Sequence, residues 1–232
     1  MNKIIVIVGV LAVLVGIGWW IVSGDDVAPV VSVADNGANK IASEASVKII
    51  AFGDSLTAGY GVSQAEAYPA QLEAALLDKG YDVVVINSGV SGETTRGNLE
   101  RANFIRTQDP DIVILGIGGN DALRALPLEE TEKNMRATVE ILQTGEQSPR
   151  VVLLQMQAPL NTGRAYKETF DGLYNTIADD AGLVLVPFIT EDIFLVAENK
   201  LADGIHYNQA GYEKVVTEYL LPALEQELQN SI

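Results

Sequence analysis

Five short apolar runs, each followed by an amphipathic stretch, limit this chain to very few architectures. The runs are Val47–Phe52, Asp82–Ile86, Ile112–Gly116, Val151–Met156 and Leu183–Val186. They lack the in–out alternation of a half-exposed strand, so they read as strands covered on both faces. The intervening stretches carry helical spacing. Tyr68–Asp78 has Leu72, Ala75 and Leu76 on one side, and Glu129–Gln143 has Met135, Val139 and Leu142. Leu99–Thr107, Thr169–Asp180 and Tyr212–Glu227 complete the predicted helices. Strand–helix alternation with short connections makes parallel βαβ units with right-handed crossovers. The predicted fold is α/β, a three-layer α/β/α sandwich around a mostly parallel, five-stranded sheet.

Composition narrows the chemistry. The chain has 232 residues, 48% hydrophobic, enough for one sizeable core. Its mean hydropathy of +0.18 excludes wholesale disorder. A net charge of -16 offers no basic stripe to displace counterions, so nucleic acid is not an expected partner. The same acidity disfavours docking of the folded domain on anionic lipid. Cysteine is absent, which excludes disulfides, thiolate catalysis and cysteine metal sites. With one histidine, a histidine-rich metal site is excluded too. An all-oxygen calcium or magnesium site stays open, but no spaced acidic loop suggests one. No cofactor is expected.

The N-terminus reads as a membrane segment. From Ile4 to Val22 runs an uncharged apolar stretch, roughly 28 Å long as a helix and close to the hydrocarbon thickness of a bilayer. Lys3 precedes it, Asp25 and Asp26 follow, and Trp19 and Trp20 sit at its outer end, where amphipathic rings favour the interface. Residues 1–22 are therefore expected to be a single-pass signal anchor in the inner membrane. The rest would lie outside the cytoplasm, periplasmic or extracellular. The alternative is a cleaved signal peptide and a secreted protein, with the nearest small-residue site at Ser32-Val33-Ala34. Residues 23–46 are mostly small and polar and read as a tether; the folded domain is expected over 47–232.

In a parallel sheet the site forms at the carboxyl ends of the strands, which selects the loops to read. The first strand runs into Gly53-Asp54-Ser55-Leu56. Ser55 there suits a nucleophile, and it equally suits a helix N-cap. The second ends in Asn87-Ser88-Gly89-Val90-Ser91-Gly92-Glu93-Thr94, where Gly92 can offer an unobstructed N–H. An ordinary glycine turn reads the same way. Ser91 is a weaker rival nucleophile, marked only by its glycine neighbours. The third strand ends in Gly116-Ile117-Gly118-Gly119-Asn120-Asp121, close packing around a polar anchor; its glycine spacing does not match a dinucleotide fingerprint. The last loop holds Asp203 and His206, the only histidine. Imidazole trades protons near neutral pH, so general-base chemistry by histidine has one address here. A carboxylate three residues upstream can orient one ring nitrogen and leave the other free. Together the loops hold a nucleophile, a base, an orienting carboxylate and oxyanion donors, the parts that acyl transfer needs.

These four blocks resemble the SGNH (GDSL) hydrolases. Gly53-Asp54-Ser55-Leu56, Gly92 within Val90–Thr94, Gly118-Gly119-Asn120-Asp121 and Asp203-Gly204-Ile205-His206 come in the family's order. The wording at Gly59-Tyr60, Tyr68-Pro69 and Leu115-Gly116 is similar to the bacterial thioesterase I, lysophospholipase L1 and arylesterase branch. Tyr207 departs from that branch, which usually has proline between His and Asn. The resemblance implies a flavodoxin-like sheet and a serine esterase acting on carboxylic esters or thioesters. Ser55, His206 and Asp203 would form the triad. The N–H groups of Ser55 and Gly92 and the side-chain amide of Asn120 would form the oxyanion hole. Asp54 reads as structural, accepting nearby backbone N–H groups. Leu123 and Leu126 are expected as apolar walls for short to medium acyl chains, beside the loop Ala158–Arg164; Tyr207 would line the acyl site or stiffen its loop. Small acyl esters or lipids are the expected substrates, with glycan O-deacetylation as another reading. A tethered, non-catalytic ligand-binding module is the alternative from a different class.

Overall fold

The structure, a computed structural model, describes residues 47–145 and 148–230. The expected anchor (1–22) and tether (23–46) lie outside the described residues. Among those described, no helix is long and apolar enough to cross a membrane.

In chain order the elements are β1 (Val47–Gly53), α1 (Ser55–Ala58), α2 (Tyr68–Asp78), β2 (Val83–Gly89), α3 (Thr95–Arg106), β3 (Ile112–Gly116) and α4 (Gly119–Leu123). Then come α5 (Leu128–Leu142), β4 (Arg150–Gln155), α6 (Arg164–Ala181), β5 (Val184–Pro187), α7 (Glu191–Phe194), α8 (Gln209–Val215) and α9 (Leu221–Gln229). The strands form one five-stranded parallel sheet in the order β2-β1-β3-β4-β5. That is the flavodoxin-like order, whose switch point falls between β1 and β3, where successive crossovers leave in opposite directions. Helices α2, α8 and α9 pack together, as do α3, α5 and α6.

The central strands are buried along their length. Ile49 to Phe52, Val113 to Leu115 and Val152 to Leu154 are all inaccessible to solvent, the result expected of runs with no polar alternation. Strand β2 differs because it is an edge: Val84 is exposed, and the Glu73 carboxylate accepts the Val85 N–H at 2.6 Å. A side chain thus satisfies a strand-edge donor and blunts that edge.

Two helices depart from the predicted spans for physical reasons. Helix α3 starts at Thr95, earlier than its apolar spacing suggests, because Asp121 accepts from the Thr95 N–H at 2.9 Å and from its hydroxyl at 2.6 Å. The final helix, predicted as one piece, is interrupted by a π-helical turn at Val216–Leu220. Pro222 follows at the start of α9; it lacks an N–H and crowds the carbonyl one turn back, and the widened turn accommodates both.

Candidate active site

Ser55 opens α1 directly beyond the β1 end. Gly53 is required there: a Cβ would stand 2.3 Å from both the Gly116 carbonyl oxygen and Thr57 Oγ1. This tight approach of β1 to β3 lifts Ser55 onto the sheet edge at the switch point. Asp54, not Ser55, caps the helix, accepting the Leu56 N–H at 3.0 Å. Capping by its neighbour leaves the Ser55 hydroxyl free.

His206 Nε2 lies 2.8 Å from Ser55 Oγ, and His206 Nδ1 lies 2.6 Å from Asp203 Oδ2. The second Asp203 oxygen accepts the backbone N–H groups of Ile205 and His206 at 2.9 and 3.0 Å. Partial burial pushes the Asp203 carboxyl up, but the ring donor and these two N–H groups outweigh it and hold it at about 2. A carboxylate so acidic has only lone pairs to offer. The shared proton therefore sits on Nδ1, and the Nε2 lone pair faces the Ser55 hydroxyl. The exposed Tyr60 ring lies against the imidazole, centroids 4.5 Å apart.

Pairing across strands explains which way the histidine points. Lys200 and Tyr207 form an isolated antiparallel bridge, with the Leu201 N–H on the His206 carbonyl at 2.9 Å. Neighbouring residues of an extended segment face opposite ways. His206 turns to the site and Tyr207 turns to the core. The expectation that Tyr207 lines the acyl site is therefore corrected: it is fully buried, packs edge-on against Phe188, Phe194 and Tyr212, and donates its hydroxyl to the Phe188 carbonyl at 2.8 Å.

Asn120 sits in the first turn of α4, and its side-chain amide donates to Asp54 Oδ2 at 3.3 Å. Asp54 is 2% exposed. Burial raises its carboxyl to about 6, a rise limited by the Leu56 N–H, the attraction of His206 whenever its ring is protonated, and the Asn120 amide. Gly92 occupies the turn after β2 with φ +82°, a conformation that favours glycine. Its carbonyl accepts from Arg124 at 2.9 Å, and no acceptor for its own N–H is found among the described residues. Behind it, Glu93 is ion-paired with Arg101 and accepts the Asn98 amide at 2.5 Å, while Arg101 also donates to the Ser88 carbonyl at 3.1 Å. The one imidazole is engaged by Ser55, which leaves Ser91 without a histidine base.

A cleft of about 550 Å³ flanks these groups. Leu56, Gly119, Gly204 and Ile205 border it beside the site, and Leu123, Met156, Pro159, Leu160, Ile189 and Phe194 make it apolar; Lys167 and Glu191 are its charged residues. Leu123 and the loop from Ala158 to Asn161 are among its lining residues. Leu126 does not line the cleft; it is half-buried, and its carbonyl accepts the Tyr166 hydroxyl at 2.9 Å. Tyr60 enters the sequence reading only within the Gly59-Tyr60 wording, and Arg124 not at all, because neither lies in a periodic run.

Residues 51–214 match the GDSL-like lipase/acylhydrolase family. The chain belongs to that family. It is 35% identical to an arylesterase of Vibrio mimicus over 71% of this chain and 82% of that one. It is 33% identical to thioesterase 1/protease 1/lysophospholipase L1 of Escherichia coli over 69% of this chain and 76% of that one. Among solved structures, the psychrotrophic esterase EstA of Pseudoalteromonas superposes with a TM-score of 0.73 at 28% identity, covering 78% of this chain and 98% of that one. As a GDSL-like acylhydrolase the chain is a carboxylic ester hydrolase, and the sheet and its helices are those of its structural neighbours.

Proposed function

We propose that Ser55 is the nucleophile of this esterase, His206 its general base and acid, and Asp203 the group that orients the imidazole. One observation carries the reading: the chain's sole imidazole is held between Ser55 Oγ at 2.8 Å and Asp203 Oδ2 at 2.6 Å. Ser55 Oγ attacks the acyl carbonyl as Nε2 takes its proton. The imidazolium, stabilised by Asp203, returns that proton to the leaving alkoxide or thiolate. Water then repeats the sequence on the acyl-enzyme and releases the acid.

The tetrahedral oxyanion needs donors already in place, each worth about 3 to 4 kcal/mol in the transition state. Three are at hand. The Ser55 N–H opens α1 and has no upstream carbonyl of that helix to pair with. The Gly92 N–H has no acceptor among the described residues. Asn120 uses one amide hydrogen on Asp54 and keeps the second for the substrate.

The apolar cleft beside Leu56 and Gly119 fits the acyl chain, and its volume of about 550 Å³ is ample for one. The relatives' names, arylesterase and thioesterase 1/lysophospholipase L1, support esters and thioesters of small or lipid-derived acyl groups. The apolar run at 4–22 supports a domain held beyond the membrane, where exogenous esters and lysolipids reach it.

The test is p-nitrophenyl butyrate turnover by the full chain. Ser55→Ala is expected to lower kcat by about 10⁴-fold or more, and a fluorophosphonate should label wild type at Ser55. Turnover near wild type in Ser55→Ala would sink the assignment.

A further inference from the structure

We infer that Arg124 is a positioning residue for the oxyanion hole, acting through the Gly92 turn. This rests on the reading of Gly92 as an oxyanion donor. Residues Val90 to Glu93 form a turn closed by the Glu93 N–H on the Val90 carbonyl at 3.2 Å, with Gly92 third at φ +82°. Positive φ at the third position is the mark of a type II turn. Type I and type II turns differ by a flip of their central peptide, here Ser91–Gly92. The N–H of that peptide is the Gly92 donor. Whether it faces the site therefore depends on which turn is populated.

Arg124 acts on the next peptide. Its guanidinium donates to the Gly92 carbonyl at 2.9 Å, while the N–H of the same peptide, that of Glu93, is held by Val90. Gripped at both ends, this peptide fixes ψ of Gly92 and keeps the turn in its present form. Arg124 also caps α4: its backbone N–H reaches the Asn120 carbonyl at 3.2 Å. One residue thus ties the loop carrying the Gly92 donor to the helix carrying the Asn120 donor, across the mouth of the site. Glu93 and Arg101 brace the turn from behind, and the exposed Arg124 holds it from the other side through the Gly92 carbonyl. A Cβ built on Gly92 would lie 3.8 Å from the guanidinium, so the two are in near contact along the turn's outer face.

The experiment compares wild type, Arg124→Ala and Arg124→Lys, each as the full chain. Two readouts are taken: the rate of Ser55 phosphonylation by a fluorophosphonate, and kcat and KM on p-nitrophenyl butyrate. Phosphonylation passes through a charged oxygen at the same donors, so it reports the oxyanion hole without the acyl cleft. Removing one donor outright costs about 10² to 10³, so misdirecting one should slow Arg124→Ala by about 10- to 100-fold. The loss should appear in labelling and kcat with KM nearly unchanged, and Arg124→Lys, which keeps a donor to the carbonyl, should recover most of it. Labelling of Arg124→Ala at the wild-type rate overturns the inference, as does a loss confined to KM. Wild type that fails to label removes the serine-hydrolase reading itself, a separate result.

Discussion

Two carboxylates flank the Ser55–His206 pair from opposite kinds of surroundings. Asp54 lies in the floor behind Ser55, 2% exposed, with its carboxyl pushed up to about 6 by burial. Asp203 lies in the rim loop, where the imidazole and two backbone N–H groups hold it at about 2 against its partial burial. Environment alone separates two groups of identical chemistry. The acidic one stays ionised and can stabilise an imidazolium. The buried one is easily neutralised, and its contacts, the Leu56 N–H and the Asn120 amide, are those of a scaffold.

The rim side of this contrast carries the larger functional effect. Asp203→Asn should reduce kcat by about 10⁴-fold, because an amide donor facing Nδ1 forces the wrong tautomer. Thermal stability should change far less than activity, since Asn keeps an acceptor for the Ile205 and His206 N–H groups. The measurement pairs ester turnover with thermal unfolding. Retention of more than a tenth of the activity would mean that the imidazole is oriented by something other than Asp203.

The floor side should show the reverse balance. Asp54→Asn keeps an acceptor for the Leu56 N–H but turns a second amide towards Asn120. Activity should drop about tenfold, the worth of one hydrogen bond of roughly 1.4 kcal/mol. Its signature is in stability against pH. A carboxyl whose folded pKa of about 6 exceeds the ordinary 3.8 costs stability as pH climbs between those values, and the cost stays above them. Chemical denaturation from pH 4 to 7 should therefore find the variant gaining on wild type by up to roughly 3 kcal/mol. A constant difference across that range would remove burial as the cause of the raised Asp54.

The same contrast marks what was legible in the sequence. Strands β1, β3 and β4 could be read because burial on both faces leaves a local trace, a run without polar residues. Ser55, Asp203 and His206 could be read because reactive residue types at strand ends are scarce in a chain with one histidine and no cysteine. The start of α3 could not, since its anchor Asp121 is 26 residues from Thr95. Nor could Arg124, whose partner Gly92 is 32 residues away and is engaged only through a backbone atom. Leu126 was misjudged for a related reason: an apolar residue near a cleft is told from a lining residue only by the packing of its neighbours. Strictly local patterns report burial and not what a side chain meets across the fold.

Tyr207 is the sharpest instance, because it adjoins His206 and has the opposite role. One residue faces Ser55 and the next faces the core, so removing the Tyr207 hydroxyl should separate stability from activity. Tyr207→Phe leaves the Phe188 carbonyl without its 2.8 Å donor in a dry aromatic cluster, a loss of about 1 to 2 kcal/mol. For a chain of this size that lowers Tm by roughly 2 to 8 °C. The ring and its edge-on contacts are kept, so the bridge to Lys200 should still hold His206 in register. Ester turnover should stay within about threefold of wild type, well under the cost of one oxyanion donor. A tenfold loss of kcat/KM at unchanged Tm would instead mean that the Tyr207 hydroxyl reaches the acyl site, and the separation between the inward and outward faces of this loop would fail.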